Sequence, residues 1–356
     1  MEFAFEPMSL PEIVLLLSLL TALGSWWLTG RVRRYAVKRL IDVPNDRSSH
    51  AIPTPRGGGA AIVAAAAVAY CGWHYIVGIS EAVRWALLGA VPIAIIGFVD
   101  DHGHVPARFR MLIHLLSAAW SVCWLGGLSE LVLLGQSYSL GWFGSVAATI
   151  GVVWLLNLFN FMDGIDGIAA SEALFVAAAA AALTGWLHPE LLQAPLFVLF
   201  AAACAGFLVW NWPPARIFMG DVGSGAIGFL IGVFAVLSIV KGGLSLAVWL
   251  TLTGVFLVDA SFTLLRRLAT GQRWLEAHRS HTYQHAAVIS GSHKTVTLAV
   301  WIINLAWLLP LATTAALRPR WDVLVVAVAY LPLLVLAVRF GAGTENWLQT
   351  AKGRGT

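Results

Sequence analysis

Apolar residues run in long stretches along this chain, and polar residues come in short bursts between them. A helix needs roughly 17 to 25 mostly apolar residues to cross a bilayer. Eleven segments meet that length, at about 10–30, 58–78, 83–99, 111–128, 142–161, 168–186, 191–211, 222–240, 244–265, 296–317 and 321–339. The stretch 129–141 (SELVLLGQSYSLG) is too short to span and reads as a small external hairpin. No internal repeat, low-complexity tract or long linker divides the chain. The pattern therefore predicts an all-α polytopic membrane protein, one domain over 1–356, with about eleven transmembrane helices.

Composition agrees. Of 356 residues, 59% are hydrophobic and only 11% charged, against about 25% charged in a soluble globular domain. Cys71, Cys123 and Cys204 each lie in an apolar run without metal-ligand spacing, so they read as small buried hydrophobes. Glu2, Glu6 and Glu12 precede the first apolar run and RVRRYAVKR follows it, which suits a retained first helix with its N-terminus outside.

The net charge of +4 becomes informative once it is assigned to sides. With eleven spans and an external N-terminus, only Arg84, Lys241, Arg318 and Arg320 of the 22 cations fall outside. Cations concentrate in cytoplasmic loops, so this asymmetry sets the orientation, with the C-terminus in the cytoplasm. The aspartates gather on the same face: Asp42, Asp46, Asp100, Asp101, Asp163, Asp166, Asp221 and Asp259, leaving only Asp322 outside. A carboxylate at bilayer depth costs about 2.5–3.5 kcal/mol by insertion scales, so acids gathered here call for a counter-ion.

Five bursts of polar residues carry the candidate chemistry. In IIGFVDDHGH (95–104), Asp100 and Asp101 end the third span; they form either a solvated helix end or a charged pair needing a cation. In NLFNFMDGIDGIAA (157–170), Asn157, Asn160 and Asp163 lie near one helical face, and the glycines of DGIDG turn the chain into the next span beside Asp166. RIFMGDVGSGAIG (216–228) puts Asp221, a hard oxygen ligand, at a glycine-rich helix start; an ordinary cap with close helix packing would read the same way. DVPNDRSSHAIPTPRGGG (42–59) supplies His50, Arg56 and a glycine run. LRRLATGQRWLEAHRSHTYQH (265–285) supplies Arg266, Arg267, His278, Arg279 and His281; without cysteine and in basic surroundings, it suits an anion better than zinc. Together these loops offer carboxylates for one hard metal ion, cations and glycine backbone for phosphates, and polar groups for a sugar or base. Phosphoryl transfer is largely positioning and charge neutralisation by such parts.

In order and register over about 40–285, NxxNxxDGxDG, FMGDVGS, the DD pair and the histidine loop resemble the polyprenyl-phosphate N-acetylhexosamine-1-phosphate transferase superfamily (glycosyltransferase family 4). The likeness is strongest to the branch that initiates O-antigen and other surface polysaccharides. The resemblance implies a helical bundle with a cytoplasmic active site in the bacterial inner membrane. It implies transfer of a sugar-1-phosphate from a UDP-sugar to undecaprenyl phosphate, with release of UMP and dependence on Mg²⁺, Mn²⁺ being a second candidate. By the same likeness, Asp221 is the principal metal ligand with Asn160 close to it. Asp100 is the carboxylate that deprotonates the lipid phosphate and Asp101 its partner. Asp163 and Asp166 belong to the nucleotide and metal end, with Asn157 beside them. His50, Arg56, Arg266, Arg267, His278, Arg279 and His281 bind substrate. The expected partners are undecaprenyl phosphate, a UDP-N-acetylhexosamine and membrane lipid, with a homodimer left open and no nucleic acid.

One departure matters: members that take UDP-MurNAc-pentapeptide carry consecutive histidines, whereas HRSHTYQH resembles enzymes that use UDP-GlcNAc, UDP-FucNAc or UDP-QuiNAc. Two rivals remain. A secondary transporter would keep its ionisable groups near the midplane, where only Asp259 lies. A CDP-alcohol phosphotransferase would extend its aspartate signature beyond DGIDGIAA.

Overall fold

A computed structural model describes residues 8–44, 52–272 and 278–344. The polypeptide is a helical bundle. Helices α1 (Leu10–Arg39), α2 (Gly59–Ile76), α3 (Glu81–Leu88), α4 (Ala90–His102) and α5 (Ala107–Trp124) come first. After them run α6 (Gly141–Phe161), α7 (Ile168–Leu187), α8 (Ala194–Asn211), α9 (Asp221–Val240), α10 (Leu246–Leu252) and α11 (Gly254–Ala269). The chain ends in α12 (Thr282–Ser290), α13 (His293–Ile303), a π-helical turn Asn304–Leu308, α14 (Leu309–Leu317) and α15 (Asp322–Arg339). The 129–141 stretch is an antiparallel hairpin of β3 (Glu130–Leu133) and β4 (Gln136–Ser139). A two-residue ladder, β1 (Ile41–Asp42) with β2 (Thr54–Pro55), closes the first polar loop.

Helix occupies all eleven segments expected from sequence. Among the described residues, eight are long and apolar enough to cross a membrane, or nine if α10 and α11, bent by 79°, form one broken span. Eleven full spans are thus not established. Helix α2 is one of the short ones, and α5 carries Arg108, Arg110 and His114 in its first half.

Helix α9 is the axis of the bundle, its apolar window 94% buried against 17% for α1. Its sequence DVGSGAIGFLIGVFAVLSIV explains this place. A Cβ at Gly228 would run into the backbone of α6 at Leu155, so α6 lies directly on α9. Gly97 does the same for α4, where a Cβ would sit 2.5 Å from the Asp221 carbonyl oxygen. Such small-residue contacts replace hydrophobic drive where surrounding lipid is as apolar as the side chains. They bring the DD pair, the end of α6 and the start of α9 to one corner of one face.

Candidate active site

At that corner α9 begins on a borrowed carboxylate. Asp101, in the last turn of α4 and buried, accepts from the backbone N–H of Asp221 (3.0 Å, Oδ1) and of Val222 (3.2 Å, Oδ2). Free N–H groups at a helix start attract negative charge, and a carboxylate there satisfies two of them. Gly220 just before has φ +74°, and a Cβ on it would lie 2.6 Å from the Asp101 carboxylate, so only glycine fits both the turn and the contact. Arg56 supports Asp101 by donating to its carbonyl oxygen (2.7 Å) and by standing 3.8 Å from its carboxylate. The glycine run after Arg56 is also explained: Gly58 and Gly59 N–H donate to Phe218 and Met219 carbonyls at 2.9 and 2.8 Å. The first polar loop is thereby stitched to RIFMGD.

Asp100 and Asp221 share a cation that the sequence pattern presents only as one of many cytoplasmic-side charges. Arg110, one turn into α5, pairs closely with Asp100 and stands 3.1 Å from Asp221 Oδ2. Asp100 also accepts from Val105 N–H at 2.7 Å. On the other side, Asn160 Nδ2 donates to Asp221 Oδ1 (2.8 Å) and to Ser224 Oγ (2.9 Å), locking the end of α6 to the first turn of α9.

Asp163 follows in the turn after α6. Its carboxylate has no hydrogen-bond or cationic partner among the described residues. Burial, then the charges of Asp221, Asp101 and Asp166, push its pKa well above the usual carboxylate range. Asp166 plays a holding part: it accepts from Ala215 N–H (3.0 Å) and stands 3.3 Å from His293 Nδ1. Asn211, absent from the sequence reading, clasps both ends of this region, accepting from Gly167 N–H (3.1 Å) and donating to the Ile217 carbonyl (2.9 Å). A lone asparagine ending an apolar helix before WPP gave no signal by spacing.

The histidine loop repeats the borrowed-cap arrangement. Asp259 of α11, buried, accepts from Thr282 N–H (2.9 Å) and Tyr283 N–H (3.1 Å) at the start of α12, and stands 3.4 Å from His281 Nδ1. His278 lies 4.9 Å from His281, ring centre to ring centre. Burial, reinforced by His281 and Arg267, lowers the His278 pKa from 6.5 to about 3. Tyr283 donates to the Phe161 carbonyl (3.0 Å), tying the loop to the end of α6.

A cavity of about 490 Å³ opens between α4, α5, α6 and α11. Its polar end holds Arg110, Asn160, Asp221, His278 and His281, and its walls continue through Ile93, Met111, Ile150, Val153 and Leu264. Of the residues expected from sequence, Asn157, Asn160, Asp221, His278 and His281 line it, and Asp100 reaches it through Arg110. Others stand back. Arg266 donates to the Ala342 carbonyl (3.0 Å), and the buried Arg267 is 3.4 Å from Ser280 Oγ. Arg279 lies half-buried in the loop, and His50 is outside the described residues.

Residues 83–239, which include most of this site, match the glycosyl transferase family 4 profile. A probable undecaprenyl-phosphate N-acetylglucosaminyl 1-phosphate transferase of Bacillus subtilis is 30% identical over 304 residues, covering 82% of this chain and 81% of the relative. A decaprenyl-phosphate N-acetylglucosaminephosphotransferase of Mycolicibacterium smegmatis is 30% identical over 369 residues, covering 91% and 87%. A phospho-N-acetylmuramoyl-pentapeptide-transferase of Moorella thermoacetica is 33% identical over 231 residues, covering 59% and 69%. With an apolar bundle, a carboxylate corner at one face and relatives aligned along most of its length, the chain belongs to glycosyl transferase family 4, among the polyprenyl-phosphate hexosamine-1-phosphate transferases.

Proposed function

We propose that this protein transfers N-acetylglucosamine-1-phosphate from UDP-GlcNAc to undecaprenyl phosphate, releasing UMP, and so starts a lipid-linked surface polysaccharide such as O-antigen. The cavity carries this reading. It joins a charged end, suited to phosphates, to an apolar passage between membrane helices, suited to an isoprenoid chain. GlcNAc is favoured over UDP-FucNAc and UDP-QuiNAc because the relatives that align over most of their length are named for it. The HRSHTYQH loop, with no run of histidines, argues against a MurNAc-pentapeptide donor. Cation asymmetry supports a site on the cytoplasmic side of the inner membrane, with the N-terminus outside.

The residues also suit magnesium. Among the described residues no group of three or more His, Cys, Asp or Glu forms a ready metal cluster. Magnesium does not need one, since it takes one or two protein carboxylates and completes its shell with phosphate oxygen and water. Burial and the charges of Asp221, Asp101 and Asp166 disfavour the ionised form of the unpartnered Asp163 carboxyl. A divalent cation among these acids would offset that repulsion and favour its carboxylate. Asp221 and Asn160 would hold the ion, and it would supply charge neutralisation at the pyrophosphate.

The chain's own groups do the rest. Arg110 bridges two carboxylates at the mouth of the apolar passage, where an arriving lipid phosphate can take one of their places. We assign to Asp100, which pairs with the same guanidinium, the role of accepting a proton from that phosphate. His278 and His281 face the cavity as donors to the sugar-pyrophosphate. A lipid phosphate oxygen forms the new bond to the sugar-linked phosphorus while the bond to UMP breaks, and UMP leaves with the electron pair.

Purified protein, undecaprenyl phosphate and magnesium should convert UDP-GlcNAc to UMP and a lipid-linked sugar phosphate. A panel of UDP-GlcNAc, UDP-FucNAc, UDP-QuiNAc and UDP-MurNAc-pentapeptide ranks the donors. No UMP from any of them, or CMP from a CDP-alcohol instead, would overturn the assignment.

A further inference from the structure

Arg110 is followed one helical turn later by a second polar residue on the same cavity wall, His114. With a rise of about 5.4 Å per turn, it stands below the carboxylate corner, toward the middle of the bundle. Met111, three residues back on α5, lies on its side of the helix, and Ile96 and Ile150 are among the apolar residues that line the same cavity. An imidazole in such a place needs a reason, because a polar group without a hydrogen-bond partner in an apolar surrounding is destabilising.

The two ring nitrogens differ. Nδ1 is sealed against protein with no hydrogen-bond partner, whereas Nε2 is neither sealed nor bonded among the described residues. Neutral imidazole carries one N–H and one lone pair. Sealing a lone pair is better tolerated than sealing an unpaired N–H, so the proton belongs on Nε2, the nitrogen left open. The wall thus presents a hydrogen-bond donor one turn below a guanidinium, and no acceptor of the protein meets it. Asn157, on the same cavity, has one of its two amide N–H bonds held by the Val153 carbonyl at 2.7 Å.

We propose that His114 is a positioning residue for the lipid acceptor, donating from Nε2 to a phosphate oxygen of the polyprenyl phosphate as its chain enters the apolar passage. This rests on the acceptor reading above and deepens it. Arg110 and His114 together form a two-step ladder that distinguishes a phosphorylated isoprenoid from the free alcohol and sets how far the headgroup rises toward Asp221. A hydrogen bond to a charged group contributes about 1.5–3 kcal/mol, so its loss should weaken acceptor use by about tenfold or more.

The test has two arms on the full chain in detergent. In the first, native mass spectrometry measures binding of undecaprenyl phosphate and of undecaprenol, without turnover. His114→Ala should weaken the phosphate form about tenfold and leave the alcohol within about twofold. In the second, kinetics should show a raised KM for undecaprenyl phosphate with an unchanged KM for the UDP-sugar, and His114→Gln, which keeps an N–H donor, should recover most of the loss. Equal weakening of both lipids would reduce His114 to part of the apolar wall. A change confined to the UDP-sugar KM, or none at all, would also overturn the proposal. If wild-type protein bound undecaprenyl phosphate but released no UMP, the reaction assignment would fall while the binding arm still decided the role of His114.

Discussion

Two helices in this molecule start on a carboxylate borrowed from a neighbour, and each start presents a residue to the same cavity. Asp101 of α4 receives two N–H groups at the beginning of α9 and presents Asp221. Asp259 of α11 receives two N–H groups at the beginning of α12 and presents His281. The cap is alike and the backing differs. Behind Asp101 stands the Arg56 guanidinium, on a loop stitched to RIFMGD by main-chain hydrogen bonds, and the capped helix is the buried axis of the bundle. Beside Asp259 stands His281 itself, and the capped helix is only nine residues long. The first arrangement fixes a phosphate-handling corner to the core. The second holds a donor-facing loop through an imidazole of the loop itself.

The sharpest way to separate the two is to remove what each presents. Asp221→Ala should lower turnover by about a thousandfold or more, because it deletes a charge at the phosphates while leaving both caps in place. UMP release, with size-exclusion behaviour as a control for folding, checks this. Near-normal turnover in magnesium would detach Asp221 from the reacting phosphates and make the α9 cap purely architectural.

Removing a cap comes next. Asp101→Ala strands two buried N–H groups and an arginine partner, so stability should fall by about 2–4 kcal/mol and turnover by about a hundredfold. Asp101→Asn keeps one acceptor oxygen but turns an amide against the second N–H, and should fall between. The matching change at the second cap, Asp259→Asn, should be milder and selective: KM for the UDP-sugar up about tenfold, KM for the lipid unchanged. Combined with His281→Ala, the two losses should fall short of adding, since both residues act through one contact. Full additivity would mean that Asp259 does not act through His281.

These contrasts also show what a linear reading could see. Asn157, Asn160 and Asp163 stand out in sequence by their three-residue spacing; α6 carries Asn157 and Asn160 to the cavity, whereas the helix ends at Phe161 and leaves Asp163 in the turn that follows. Asp221 was legible from its glycines, although their closest duty is to let α4 and α6 pack on α9. Asp101 sits beside Asp100 in sequence, yet their carboxylates do different things: one receives helix N–H groups and the other an arginine side chain. Adjacent residues on a helix point about 100° apart, so a pair in sequence is seldom a pair in space. Arg110 looked like any inner-loop cation, because its two carboxylate partners lie 10 and 111 residues away. Asp259 looked like an isolated acid within a span; its partners arrive only when the chain returns 22 to 24 residues later. Arg266 and Arg267 stand in the same polar burst as the histidines, and in the fold one guanidinium meets the Ala342 carbonyl and the other the Ser280 hydroxyl, partners that sequence spacing does not announce.

The smallest expected effect concerns pH and belongs to the second cap alone. In an unfolded chain the His278 imidazole titrates near 6.5; in the folded protein burial first, then the nearby His281 and Arg267, hold it down to about 3. Between those values the unfolded chain takes up a proton that the fold excludes. Stability therefore rises with pH through that window, is complete above about 6.5, and erodes as pH falls toward 3. The thermal midpoint of the wild-type protein in detergent should drop between pH 7 and about 4.5, and His278→Gln, neutral throughout, should remove part of that drop. Affinity for the UDP-sugar should not gain a new protonation step from His278 between pH 6 and 8, because the ring is already neutral there. A melting profile whose slope is the same with and without His278 would show that the loop accepts an imidazolium in its folded form. The distinction between a guanidinium-backed cap and an imidazole-lined one would then rest on His281 alone.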